Sequence, residues 1–393
     1  MPGRWLLRGC GSALLGFVTA CASSSTAPPT QVGMDSAEPT AAPTATSAAP
    51  TATTPPAIPA LQAELAGPIE LAMDVEGNLY VSTCGFGAGQ NVIDRIDSKG
   101  ILDRIAGSGI LSFNDDGHPA LDTDLQCPAG LAIAPDGLFY ISDHGNNRVR
   151  RIQPDLIVRT VAGSGQAGVN LGSFSGDGGP ATAATLQEPW GIAFDSKGNL
   201  YIADRDNDRV RRVGTDGTIS TVAGNGIRGF GGDGGAATEA QLCGPQNVAV
   251  GADDSLFIAD DCNDRVRKVD AHGVVSTVVG TGIGGNRGDG GPATKARIDG
   301  PDGLAFDAAG NLYVATNPGL TIRRITPKGT ISTVAGTGQA GIPIDGAKAA
   351  ESAFPELYGL VFDAAGNLYA ADGNSAIWRI DPAGIVTRFA GAP

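Results

Sequence analysis

The sequence is poor in the residues that most often carry chemistry. Histidine, methionine and tryptophan occur three times each, and aromatics make up 5% of 393 residues. A zinc site needs convergent imidazoles, and His118, His144 and His272 are scattered along the chain. Positive charge is also short, with 27 basic against 41 acidic side chains and a net charge of −14. Such a surface repels phosphate backbones, so nucleic acid is excluded as a partner. No Cys-x-x-Cys exists for redox catalysis, and no nucleophile elbow, Walker loop or dinucleotide fingerprint stands in a strand-to-helix setting. Beyond the N-terminus, no apolar run approaches the roughly 20 residues of a spanning helix. What is abundant is glycine, 59 residues without a three-residue period. That composition excludes collagen and points to many tight turns between short strands. Hydrophobic residues, 41% of the chain, suffice for a core, and the length permits one large domain.

Arg4 and Arg8 precede an apolar stretch containing Leu14, Leu15, Phe17 and Val18, and Val18-Thr19-Ala20-Cys21 reads as a small-residue cleavage site. The segment resembles a bacterial lipoprotein signal with its lipobox. That resemblance implies a signal peptide over 1–20, acylation of Cys21, and a lipid-anchored protein of the cell envelope. Ala22 in place of aspartate implies the outer membrane in a Gram-negative host. Residues 21–60 are mostly Ser, Thr, Ala and Pro, with no aromatic before Tyr80. Sequence of that kind stays extended and reads as a tether.

The string Pro189-Trp190-Gly191-Ile192-Ala193-Phe194-Asp195, followed by Gly198-Asn199-Leu200-Tyr201-Ile202-Ala203-Asp204, recurs through the rest of the chain. It starts at Pro68, Pro128, Pro189, Pro245, Pro301 and Leu357, at intervals of 60, 61, 56, 56 and 56 residues. A fixed period of this size marks a repeat architecture. Each repeat reads as four short strands. In the third repeat these are Ile192 to Phe194, Leu200 to Ala203, Arg209 to Val213 and Ile219 to Ala223. Closing six four-stranded antiparallel sheets radially buries their faces, so the expected fold is an all-β six-bladed β-propeller over 61–393, with a disordered tether before it. The ring is expected to close by blade packing without an exchanged strand.

The motifs PWGIAFD, GNLYIAD and NDRVRRV resemble NHL repeats, and the linkers containing Gly176 to Thr182, Gly232 to Thr238 and Gly288 to Thr294 are similar to those of teneurin NHL propellers and related bacterial surface proteins. The resemblance implies a sensor, adhesion or other recognition module. The histidine layout argues against the amidating-lyase branch of six-bladed rings, and His118 and His144 are read as exposed loop residues.

A residue repeated in every blade is most simply explained by building the blade, and the exceptions are more informative. Asp143, Asp204, Asp260 and Asp372 are expected to form ion pairs with an arginine stripe of Arg148, Arg209 and Arg265, continued by Arg323 and Arg379. The linker residues Asp116, Asp177, Asp233, Asp289 and Asp345 are read as closing turns through their own backbone, with calcium in each linker as the alternative. Varied chemistry collects at the axial mouth on the long-loop face: Glu70, Trp190, Gln246, Asn247, Asp302 and Tyr358. Glu70 and Asn247 break a run of glycines in blades one and four, which face each other across the axis. An exported compartment permits disulfides, and the strand ends bring Cys243 to Cys262, leaving Cys84 for Cys127.

The leading reading is a lipid-anchored, monomeric, non-enzymatic propeller. It requires no cofactor, touches the membrane only through its anchor, and presents its long-loop face to an extracellular or periplasmic protein or glycan. A second reading, from a different class, is a metal-dependent hydrolase resembling gluconolactonases and the senescence-marker family, with Glu70, Asn247 and Asp302 holding calcium on the axis.

Overall fold

A computed structural model describes residues 57–85, 91–165, 168 and 171–393. These form six sheets whose strands run in sequence order, each antiparallel to the next. Blade three is representative, with strands Pro189–Phe194, Leu200–Asp204, Arg209–Val213 and Ile219–Ala223. Inner strands neighbour one another in cyclic order, and the first (Pro68–Met73) meets the last (Leu360–Phe362). Among the described residues no helix is long and apolar enough to cross a membrane.

The apolar core is divided into layers between blades. Ile192, Leu200 and Ile202 of blade three pack on Val149 and Ala162 of blade two, and equivalent clusters fill the other five interfaces. Edge-on aromatic pairs such as Tyr140 with Phe194 and Tyr313 with Phe362 reinforce three of these layers, with ring centroids 4.8 and 4.7 Å apart in those two.

Each blade takes its four strands from one repeat, as expected, but packing alone does not close the ring. Ile58–Pro59 adds a fifth strand to blade one by pairing with Leu102 and Ile101. Next to it, Ala60 and Ala63 accept backbone hydrogen bonds from Gly391 and Ala392 at the end of blade six. The five internal linkers do the same: Ala236 bridges to Val274 of blade four while Ala237 accepts from Gly224 at the end of blade three. The last residues of the segment read as a tether are therefore the sixth linker.

The arginine stripe is corrected by the structure. The paired arginines lie two positions further along the third strand. Arg150, Arg211 and Arg267 are fully buried and contact Asp143, Asp204 and Asp260 at 3.2, 3.2 and 3.3 Å. Each also reaches a linker carboxylate: Asp116 at 3.1 Å, Asp177 at 2.7 Å and Asp233 at 2.7 Å. Arg323 reaches Asp289 in the same way. Guanidinium groups hold these four linker aspartates, which therefore do not serve as turns closed through their own backbone. Distance from the strand's start, not alternation, explains the change, since Arg209 and Arg211 lie on the same face. Arg209 follows a left-handed residue, Asp208 (φ 50°), and lies over Phe174 at 3.8 Å while donating to the carbonyls of Asn207 and Asn225. Asp372 departs from the pattern and accepts the Trp378 indole N–H at 3.0 Å; Asp345 accepts the backbone N–H of Arg388.

Removing one partner of a buried pair strands the other charge. Arg211→Ala is expected to lower stability by about 3–5 kcal/mol, and Arg209→Ala by about 1 kcal/mol. Calorimetric unfolding of both variants checks this, and equal losses would contradict the assignment.

Candidate functional site: the axial mouth

The inner strands converge at the second position after each repeat start, and four of those six positions, Gly130, Gly191, Gly303 and Gly359, are glycine. The glycines are required by close approach. A Cβ on Gly191 would overlap Asn247 Oδ1, and one on Gly359 would overlap Glu70 Oε1. The space they leave holds the two exceptions. Asn247 Nδ2 donates to Glu70 Oε2 at 2.8 Å, joining blades one and four as the sequence suggested. Leu71 N donates to Glu70 Oε1 at 3.1 Å, and Val248 N donates to Asn247 Oδ1 at 2.8 Å.

Above this floor lies a tier of first-position residues. Trp190 of blade three packs with Ile69 and Ala129 of blades one and two, and Tyr358 of blade six joins them. On the other side stand Gln246 and Asp302, both buried. The structure thus brings all six sequence-identified mouth residues into one region, half apolar and half polar.

A third tier was missed. The residue immediately after the second strand differs in blades two to four, being His144, Arg205 and Asp261. Each is set against the first-position residue of the next blade. His144 meets Trp190 edge-on at 4.8 Å; Arg205 Nε donates to Gln246 Oε1 at 2.8 Å; the Asp261 charge acts on Asp302. Lack of repetition at this position was the signal that could have found it. Arg205 also pairs with Asp206 at 3.0 Å and Glu188 at 3.5 Å. His144, expected to be an exposed loop residue, is buried under the lip. Its packing on Trp190 accounts for that, and burial, then the Arg205 charge, push its imidazole down to about 4. His118 is exposed and does not pair with it; His272 lies exposed in a turn on the opposite face.

Burial raises the Glu70 carboxyl from 4.5 to about 7, against the hydrogen bonds from Leu71 and Asn247. Asp302 is raised well above the usual range by burial, then by the charges of Asp261 and Glu70. The three groups of the calcium reading do not make an oxygen cage here. Asn247 turns its amide N–H toward the axis, its oxygen is taken by Val248, and both Glu70 oxygens accept protein hydrogen bonds. Among the described residues no cluster of three or more His, Cys, Asp or Glu has metal-binding geometry.

Both expected disulfides are present, Cys84–Cys127 and Cys243–Cys262. The first joins the upper loop of blade one to the start of blade two, with Cys84 packed against the Ile69, Ala129 and Trp190 cluster. A groove of about 330 Å³ lined by Val161, Gly178, Gly179 and Asp216 lies away from the axis.

Because the folded state raises the Glu70 pKa above its unfolded value, the contribution of this residue is fully present below about pH 4.5 and is lost as pH rises through about 7. The difference is of order 3 kcal/mol. Glu70→Gln is expected to flatten that part of the stability profile, and denaturant unfolding between pH 4.5 and pH 8 checks it.

Comparison with known proteins agrees with this architecture. The teneurin NHL domain profile matches residues 154–230 and 226–284, and the NHL repeat profile matches 125–152. Human teneurin-4 is 34% identical over 231 residues, covering 53% of this chain and 8% of the teneurin's own length. Among solved structures, an auxiliary nutrient binding protein from Bacteroides thetaiotaomicron aligns with a TM-score of 0.54 at 15% identity, over 79% of this chain and 67% of that one. A streptogramin B lyase aligns at 0.50 and 14% identity, over 85% and 86%. At these identities the likeness concerns the fold. Residues 125–152 and 154–284 thus carry segments similar to the NHL repeat and the teneurin NHL domain, within a ring that is a six-bladed β-propeller.

Proposed function

We propose that this protein is a lipid-anchored, non-enzymatic recognition module of the cell envelope, binding a protein or glycan partner on its long-loop face. The observation that carries the reading is a crown of exposed apolar side chains on the linkers. Ile110, Ile227 and Ile283 occupy the same repeat position, third after the glycine that ends an outer strand, and are 59%, 59% and 53% exposed. A repeated aliphatic residue that faces water builds no blade. Phe174, Phe230 and Ile342 add to the crown from a second shared position, 38%, 42% and 66% exposed. The turns at the other ends of the strands carry far less, chiefly Val75 and Leu156. Apolar surface of this kind marks interaction sites. Two disulfides support an oxidising compartment. Cys21, the proposed acylation site, lies outside the described residues.

The hydrolase alternative receives no such support, because on the floor Glu70 and Asn247 direct their oxygens to protein N–H groups and do not converge with Asp302 as a set of metal ligands.

Screening of the purified protein against envelope proteins and glycans is expected to yield a binder. The double variant Ile227→Asp/Ile283→Asp should weaken that binding by about tenfold or more with unchanged unfolding temperature, since both side chains are exposed. Val75→Asp on the opposite face should leave it unaltered. Turnover of a small molecule without any envelope partner would overturn the reading. Separately, Cys21→Ser is expected to move the protein from the membrane to the soluble fraction, as judged by fractionation; unchanged membrane association would refute the anchor.

A further inference from the structure

Resting on the recognition reading above, we propose that the axial mouth receives a cationic side chain, a lysine ammonium presented by the partner protein that the crown engages. Two observations carry this.

The first is a charge imbalance without a counter-ion. Glu70 and Asp302 are 7% and 6% exposed, and neither has a cation within ion-pair distance among the described residues. Arg205, the nearest cation to Asp302, is occupied by Gln246, Asp206 and Glu188. His144 faces Trp190 and Arg205 faces Gln246 at two steps of the lip, and at the step from blade four to blade five the charge of Asp261 acts on the buried Asp302. A buried carboxyl with further negative charge nearby is stabilised by a proton or a cation.

The second observation is independent of charge. Trp190 is 8% exposed, lies across the mouth from blade three to Ile69 of blade one, and its Nε1–H has no acceptor. Buried donors are rarely left so. A main-chain carbonyl accompanying the incoming side chain would accept that hydrogen bond, while the aromatic face suits an adjacent ammonium.

Lysine fits the opening better than a branched or planar cation. Among the first-tier residues Tyr358 alone is half-buried, the other five being buried, so little room is left at the mouth and an unbranched methylene stem is the slimmest carrier of a charge. Ile69, Ala129 and Trp190 supply the apolar wall for that stem. A protein partner, not a glycan, is the source of such a group.

The test is calorimetric titration of the purified protein with Nα-acetyl-lysine methylamide, with Nα-acetyl-norleucine methylamide as the uncharged control of similar shape. Saturable binding is expected for the lysine amide, weaker by about tenfold or more for the norleucine amide and for the lysine amide with Asp302→Asn, the loss of one charge-assisted contact. Unfolding temperatures of the variant verify that it is folded, and Glu70→Gln provides a second variant with the same expected direction. Equal binding of the two amides, or no binding of either, would overturn the assignment. That failure is distinguishable from failure of the recognition reading, which depends on the crown variants and not on the mouth.

Discussion

The ring depends on a guanidinium that has no access to water. Arg211 is held at its end of the third strand by Asp204 from the second strand and by Asp177 from the linker, so one buried cation ties together three segments that sequence distance keeps apart. Its burial would be strongly unfavourable without both partners, and the main-chain carbonyls of Ser175 and Thr185 accept further hydrogen bonds from its two terminal nitrogens on the linker side. The linker is thereby fixed against the outer strand of its blade. Its short 3-10 turn, Ala181–Ala183, then packs on the blade before. Each clamp thus serves two blades, and the ring is a chain of overlapping fastenings more than a stack of independent sheets.

Where the clamp is missing, other interactions replace it. Blade six substitutes the Trp378 indole for the arginine, and its linker aspartate accepts a backbone N–H. Blade one has no preceding repeat from which to draw a linker aspartate, and its Asp94 pairs instead with Arg104 of its own fourth strand at 3.3 Å. The seam is closed by Ile58–Pro59 and the alanines after it, which use main-chain bonds alone. Main-chain pairing needs no particular side chain, which is why composition gave no hint that these residues belong to the ring: they follow a run of Ser, Thr, Ala and Pro and look like its continuation.

That seam shows where sequence reasoning reaches its limit. Blade number, the outer two strands of each blade and both disulfides were legible because period and alternation encode them locally; Arg209–Val213 and Ile219–Ala223 fall on the expected residues, whereas the inner strand begins at Pro189, three residues before the expected Ile192. The contact between Glu70 and Asn247 was legible because the repeat count places blades one and four opposite each other. Which arginine of Arg-Val-Arg-Arg is buried was not, because Arg209 and Arg211 lie on the same face and only their distance from the left-handed Asp208 separates a stacked role from a paired one. The burial of His144 was equally hidden, since its neighbour Trp190 arrives from the next blade.

Repetition divides the molecule in a way that bears on function. The aspartates, buried arginines, left-handed Asn or Asp residues and floor glycines recur because each blade must solve the same packing problem. Residues at the mouth face no such shared demand: their neighbours are other mouth residues, and six sheets meeting on one axis leave room for only two side chains on the floor. A position released from the folding constraint in a repeat protein would drift to small or polar residues if nothing selected it. Here it holds a buried tryptophan with an unmet donor, a glutamate raised to about 7 and a buried aspartate raised further by nearby negative charge, each of which lowers stability relative to a simpler choice. Groups that weaken a fold while gathering at one end of its axis are better explained by what they meet than by what they build.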